Sequence, residues 1–90
     1  MALFFYIGNP KNGKEKEFFD KVHSMEPPKN AKIYPFADRS TNKALHIVEA
    51  GSKEEVDGMI FKDLYETTEI TEILTMEEFV KRMERGEIDH

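Results

Sequence analysis

An α+β fold built on a single antiparallel four-stranded sheet is the class this sequence predicts. Three observations carry it. Ala2–Ile7 and Ala44–Ala50 are strand-like apolar runs with little polar interruption. Phe18, Phe19, Val22 and Met25, and then Val56, Met59, Ile60 and Leu64, recur at helical spacing. The two periods alternate as β-α-β-β-α-β before one further helical stripe. At 90 residues and 10.5 kDa the chain has room for one domain, spanning 1–90. A compact monomer of this mass exposes about 5,400 Å² of surface, which leaves one thin core.

Ala2-Leu3-Phe4-Phe5-Tyr6-Ile7 is apolar on both parities, as a central strand buried on both faces requires. Gly8-Asn9-Pro10-Lys11-Asn12-Gly13 reads as the turn that ends it. The first helix opens near Lys14 and stops before Pro27-Pro28. Asn30–Ala37 is the second strand, and Pro35, which has no amide to donate, assigns it to an edge or a bulge. The polar turn Asp38–Asn42 then returns the chain into a third strand, Lys43–Ala50.

Ser52 and Glu55 have the spacing of a capping box, which starts the second helix; Gly58 weakens that helix without breaking its apolar stripe. Thr67–Leu74 is the fourth strand, anchored by Ile70, Ile73 and Leu74. Thr75 and Glu78 repeat the capping box, and Met76, Phe79, Val80 and Met83 give the last helix an apolar stripe. That stripe predicts a docked helix whose Phe79→Ala variant loses about 2–4 kcal/mol.

This order is the ferredoxin-like one with an added C-terminal helix. Two right-handed crossovers put the strands in the order 4-1-3-2, with the two most apolar strands at the centre. The helices cover one face of the sheet only. Leu3, Phe5 and Ile7 point away from Phe4 and Tyr6, so neither face of the first strand is polar. A face left in water would forfeit several kcal/mol, and sheet-to-sheet homodimerisation is the expected remedy.

Composition excludes several classes of function. The chain has no cysteine, so no disulfide, thiolate zinc site or thiol nucleophile exists. No apolar run reaches the length of a membrane span, and no leader is evident at Met1–Ile7, so a cytoplasmic protein without membrane association is expected. Residues 1–45 carry net +3 and residues 46–90 net −8, and no basic, aromatic strand consensus is present, which argues against nucleic acid as a partner. Gly8–Lys14 lacks the spacing of a phosphate loop, and the carboxylates show no metal-ligand pattern. No cofactor or metal is expected.

The histidines are His23, His46 and His90. His23 reads as a surface or boundary residue of the first helix, and His90 as an exposed terminus. His46 lies among apolar strand residues, where a buried imidazole needs a hydrogen-bond partner, and Tyr6 or Tyr34 could supply it. His46 is therefore the one candidate catalytic residue, as a proton donor or acceptor, with Tyr6 and Tyr34 as candidate ligand-binding residues beside it.

The Phe4-Phe5-Tyr6 strand, the Phe18-Phe19 helix, the Leu45–Ala50 strand with Glu49 near its end, the Glu54-Glu55-Val56 helix and the Thr71-Glu72-Ile73 approach to the last strand together resemble the dimeric α/β-barrel superfamily. The similarity is greatest to its small members without an assigned activity. It covers about residues 2–75 and contains no diagnostic motif. It implies a sheet-to-sheet homodimer with a cleft between helices and sheet in each subunit. The superfamily also includes monooxygenases of aromatic substrates, lactone isomerases and haem-handling proteins. The expected role is a non-catalytic interaction or regulatory module. The alternative is binding or transformation of a small aromatic or lactone-type molecule in that cleft.

Overall fold

The computed structural model describes residues 1–88, and His90 lies outside them. The chain is an α+β domain whose elements run β1 (Ala2–Pro10), α1 (Glu15–Ser24), β2 (Lys32–Asp38), β3 (Lys43–Ala50), α2 (Lys53–Asp57), β4 (Tyr65–Thr67), β5 (Thr71–Ile73) and α3 (Met76–Glu84). The sheet path is β2-β3-β1-β4, with β5 also on β1, and every pairing is antiparallel. It has five strands rather than the four expected.

The extra strand comes from a break in the expected Thr67–Leu74 strand. Gly8 pairs with Thr67 and Phe5 with Thr71, so β1 advances three residues while its partner uses four. One surplus residue is the signature of a bulge. Thr68 bridges the gap: its hydroxyl accepts from the Ile7 amide at 2.9 Å, and its own amide donates to the Ile7 carbonyl at 3.0 Å. The break turns Ile70 into the core and leaves Ile73 beside Leu3 on the opposite face.

β1 also runs past its expected end. Gly8 is not a terminator but a strand residue where the chain needs the absence of a side chain. A Cβ there would stand 3.0 Å from the Tyr65 ring and 3.3 Å from the Phe18 ring. The second helix is shorter than its apolar stripe suggests. α2 stops at Asp57 before Gly58, and Met59, Ile60 and Leu64 instead ride on successive turns, with amides donating to Val56, Asp57 and Phe61 carbonyls. Those turns still direct Leu64 and Tyr65 into the core.

The core lies on one face of the sheet. Phe4 and Tyr6 of β1 and Ala44, His46, Val48 and Ala50 of β3 meet Phe18 and Val22 of α1 and Val56 of α2. Ser52 caps α2 through Glu55, whose carboxylate returns to the Gly51 amide at 3.0 Å. The proline expectation holds, since β2 pairs only with β3 and Pro35 sits on a free edge.

α3 does not dock through its stripe, contrary to the expectation from its periodicity. Phe79 is 36% exposed, Val80 41% and Met76 75%, while Glu78 and Arg82 face the cleft beside Met1–Leu3. The helix stands on local terms: Thr75 caps Glu78 at 3.1 Å, and Glu77–Lys81 and Glu78–Arg82 pair one turn apart, both at 3.2 Å. The Phe79→Ala variant should therefore lose less than about 1 kcal/mol in chemical denaturation at a concentration where the chain is monomeric.

The principal dimensions are 48 × 31 × 17 Å, and the radius of gyration is 14.8 Å. A compact 90-residue domain has about 12 Å. The 17 Å thin axis has room for one sheet and one helix layer. The accessible surface is 6483 Å², well above the roughly 5,400 Å² of a compact monomer of this mass.

Candidate functional site

His46 and Tyr6 are paired across β3 and β1, so their side chains share the core face. Their ring centroids are 4.8 Å apart at a 35° tilt. Tyr65, which the sequence reading did not single out, completes the group at 6.4 Å from His46 and 4.5 Å from Phe18. Alternation in Tyr65-Glu66-Thr67 was the available signal for it. Tyr34 is not part of this group. Its register partner is Ile47, and it is 45% exposed on the opposite face.

His46 is fully buried, and neither ring nitrogen has a hydrogen-bond partner. Burial without compensation disfavours the charged imidazolium, which lowers the pKa from 6.5 to about 4. The Tyr6 phenol is pushed well above its usual range, first by burial and then by the neighbouring Tyr65 phenol. Burial likewise raises Tyr65. At neutral pH all three groups are uncharged, and each side chain is almost wholly buried.

Five clefts among the described residues, with volumes between about 260 and 540 Å³, are lined by none of Tyr6, Tyr34 and His46. In the loop before α1, the Glu15 carboxylate accepts from the Gly13 amide at 2.9 Å. Among the described residues no three metal-ligating side chains cluster, and no helix is long and apolar enough to cross a membrane. His23 is exposed on α1.

The feature without a partner is the other sheet face. Its rows, read through the strand register, are Ile73-Leu3-Glu49-Lys32, Thr71-Phe5-Ile47-Tyr34 and Ile7-Leu45-Phe36. Leu3, Phe5, Ile7, Leu45 and Ile47 are half-buried, and Phe36 is 57% exposed. Lys32 beside Glu49 at one end and Lys43 paired with Asp38 at the other give each rim one cation and one anion. An apolar centre with a polar rim is the anatomy of a protein interface. Comparison with protein-family models, curated proteins and solved structures gives no match.

Proposed function

We propose that this chain is a non-catalytic interaction module that forms a homodimer through the open face of its sheet. Its architecture is then ferredoxin-like with the fourth strand broken in two, in the manner of the dimeric α/β-barrel superfamily. The observation that carries this reading is the apolar face centred on Phe5 and Ile47, whose side chains are only half-buried among the described residues. Its mixed-sign rims let a second copy approach without repulsion, and a two-fold axis makes a single patch its own complement. The free edges argue against edge pairing, since Pro35 interrupts β2 and the bulge at Thr68 interrupts the other side.

The test is sedimentation equilibrium at micromolar concentration. The chain should weigh about 21 kDa, twice its 10.5 kDa mass, and Ile47→Asp should return it to 10.5 kDa with its circular dichroism unchanged. A wild-type monomer at these concentrations would overturn the reading.

One observation favours a second reading, in which a small polar molecule enters the core and pairs with His46: its two ring nitrogens are buried without partners. A saturable fragment titration followed on the Tyr6, His46 and Tyr65 resonances would support it. Shifts confined to the outer face would end it.

A further inference from the structure

We propose that Asn12-Gly13, in the loop joining β1 to α1, is a site of spontaneous covalent change, where Asn12 passes through a succinimide to aspartate and isoaspartate at a rate that the Glu15 carboxylate restrains. The chemistry needs an asparagine, an unhindered amide after it, and water. The chain's four asparagines are followed by Pro10, Gly13, Ala31 and Lys43. Proline has no amide proton to give up, and the β-carbon of Ala31 or Lys43 crowds an approach that glycine leaves open. Asn12 and Gly13 are exposed, and a side-chain carbon added at Gly13 would meet no atom within 4 Å. Packing therefore does not bar the reaction.

The Gly13 amide loses its proton to solvent and its nitrogen attacks Asn12 Cγ. The N–Cγ bond forms, the Cγ–Nδ2 bond breaks, and Nδ2 leaves as ammonia with a proton returned by solvent. Water then opens the ring at either carbonyl. Opening at Cγ gives aspartate, and opening at the backbone carbonyl of residue 12 gives isoaspartate, whose main chain is one carbon longer. No oxidant, reductant or co-reactant other than water takes part.

The folded loop opposes ring closure in two ways. The Lys14 amide donates to the Lys11 carbonyl at 2.8 Å, Gly13 has a φ of 82° and Asn12 a negative φ, which together define a type II turn. The Asn12 ψ is then about +120°, and bringing the Gly13 nitrogen round to the side chain takes a further rotation of about 120°, which breaks the turn. The Gly13 amide also donates to both Glu15 carboxylate oxygens, at 2.9 and 3.2 Å. A negative charge beside an amide opposes the loss of its proton. The flanks are pinned, since the Lys11 amide donates to the Leu64 carbonyl at 2.9 Å and the Lys14 carbonyl accepts from the Phe18 amide at 2.8 Å. Isoaspartate adds its extra carbon between these anchors, so conversion alters the joint between β1 and α1 permanently.

Incubation at neutral pH and physiological temperature, followed by peptide mass spectrometry, reads conversion as a gain of about 1 Da at Asn12. Asn12 should convert while Asn9, Asn30 and Asn42 do not. The guanidinium-unfolded chain should convert about tenfold faster than the folded one, the scale of the two hydrogen bonds lost. In the folded chain, Glu15→Ala should raise the rate about threefold or more, the scale of one exposed hydrogen bond. Glu17→Ala, which removes a carboxylate from the same helical turn that pairs with Lys14 rather than Gly13, should leave the rate unchanged. A Glu15→Ala rate no faster than that of the wild type, or an equal gain from Glu17→Ala, would overturn the restraint. No mass gain at Asn12 even in the unfolded chain would overturn the site itself.

Discussion

Replacing Phe18 by alanine should cost about 3–5 kcal/mol, a large part of the roughly 5–15 kcal/mol that holds a domain folded. Phe18 is fully buried where both layers converge. Its ring lies 4.5 Å from Tyr65 and 4.9 Å from Phe19, and it approaches the bare backbone of Gly8. Its loss leaves a cavity between the Tyr65 and Phe19 rings, beside the bare backbone of Gly8. Differential scanning calorimetry at fixed protein concentration should show the midpoint fall by roughly 15 °C or more. Phe19→Ala, only partly buried, should cost much less. Equal losses at the two positions would mean that Phe18 is not the centre of the core.

Acid should destabilise the fold through His46. Its folded pKa is lowered from 6.5 to about 4, so between those values the unfolded chain binds a proton that the folded chain refuses. Stability that is complete above pH 6.5 is therefore lost as pH falls towards 4, by about 3 kcal/mol in total at about 1.4 kcal/mol per pKa unit. The neighbouring titratable groups, Tyr6 and Tyr65, are both raised and stay neutral throughout this window. Replacing His46 by leucine removes two unsatisfied nitrogens along with some ring packing, so at pH 7 it should alter stability by less than about 1 kcal/mol in either direction. At pH 4 the variant should exceed the wild type by about 3 kcal/mol. Urea unfolding at both pH values measures the difference, and parallel curves for the two proteins would show that His46 is protonated in the folded chain.

The parts of this fold that could be read from the sequence are those fixed by local chemistry. β3 begins and ends as expected because a polar turn precedes it and a capping serine follows. Both capping boxes place their hydroxyls on the third amide. What escaped reading depends on contacts distant in sequence. The role of Gly8 is set by Phe18 and Tyr65, ten and fifty-seven residues away. The broken last strand depends on a threonine hydroxyl substituting for a ladder bond.

The candidate site was half legible for the same reason. Parity alone puts His46 opposite Leu45 and Ile47, but whether Tyr6 or Tyr34 shares its face depends on register. Pro35 stands beside His46, and Tyr34 beside Ile47. The α3 stripe announces a helix with an apolar side without specifying what covers it.

Packing of one open sheet face against another is tested most directly by isotope-filtered NOE spectroscopy on an equimolar mixture of labelled and unlabelled chains. Methyl protons of labelled Leu45 and Ile47 should show intermolecular NOEs to aromatic protons of unlabelled Phe5, Tyr34 or Phe36. A dimeric sample with no intermolecular NOE on these side chains, or with NOEs confined to the α1 surface, would contradict it.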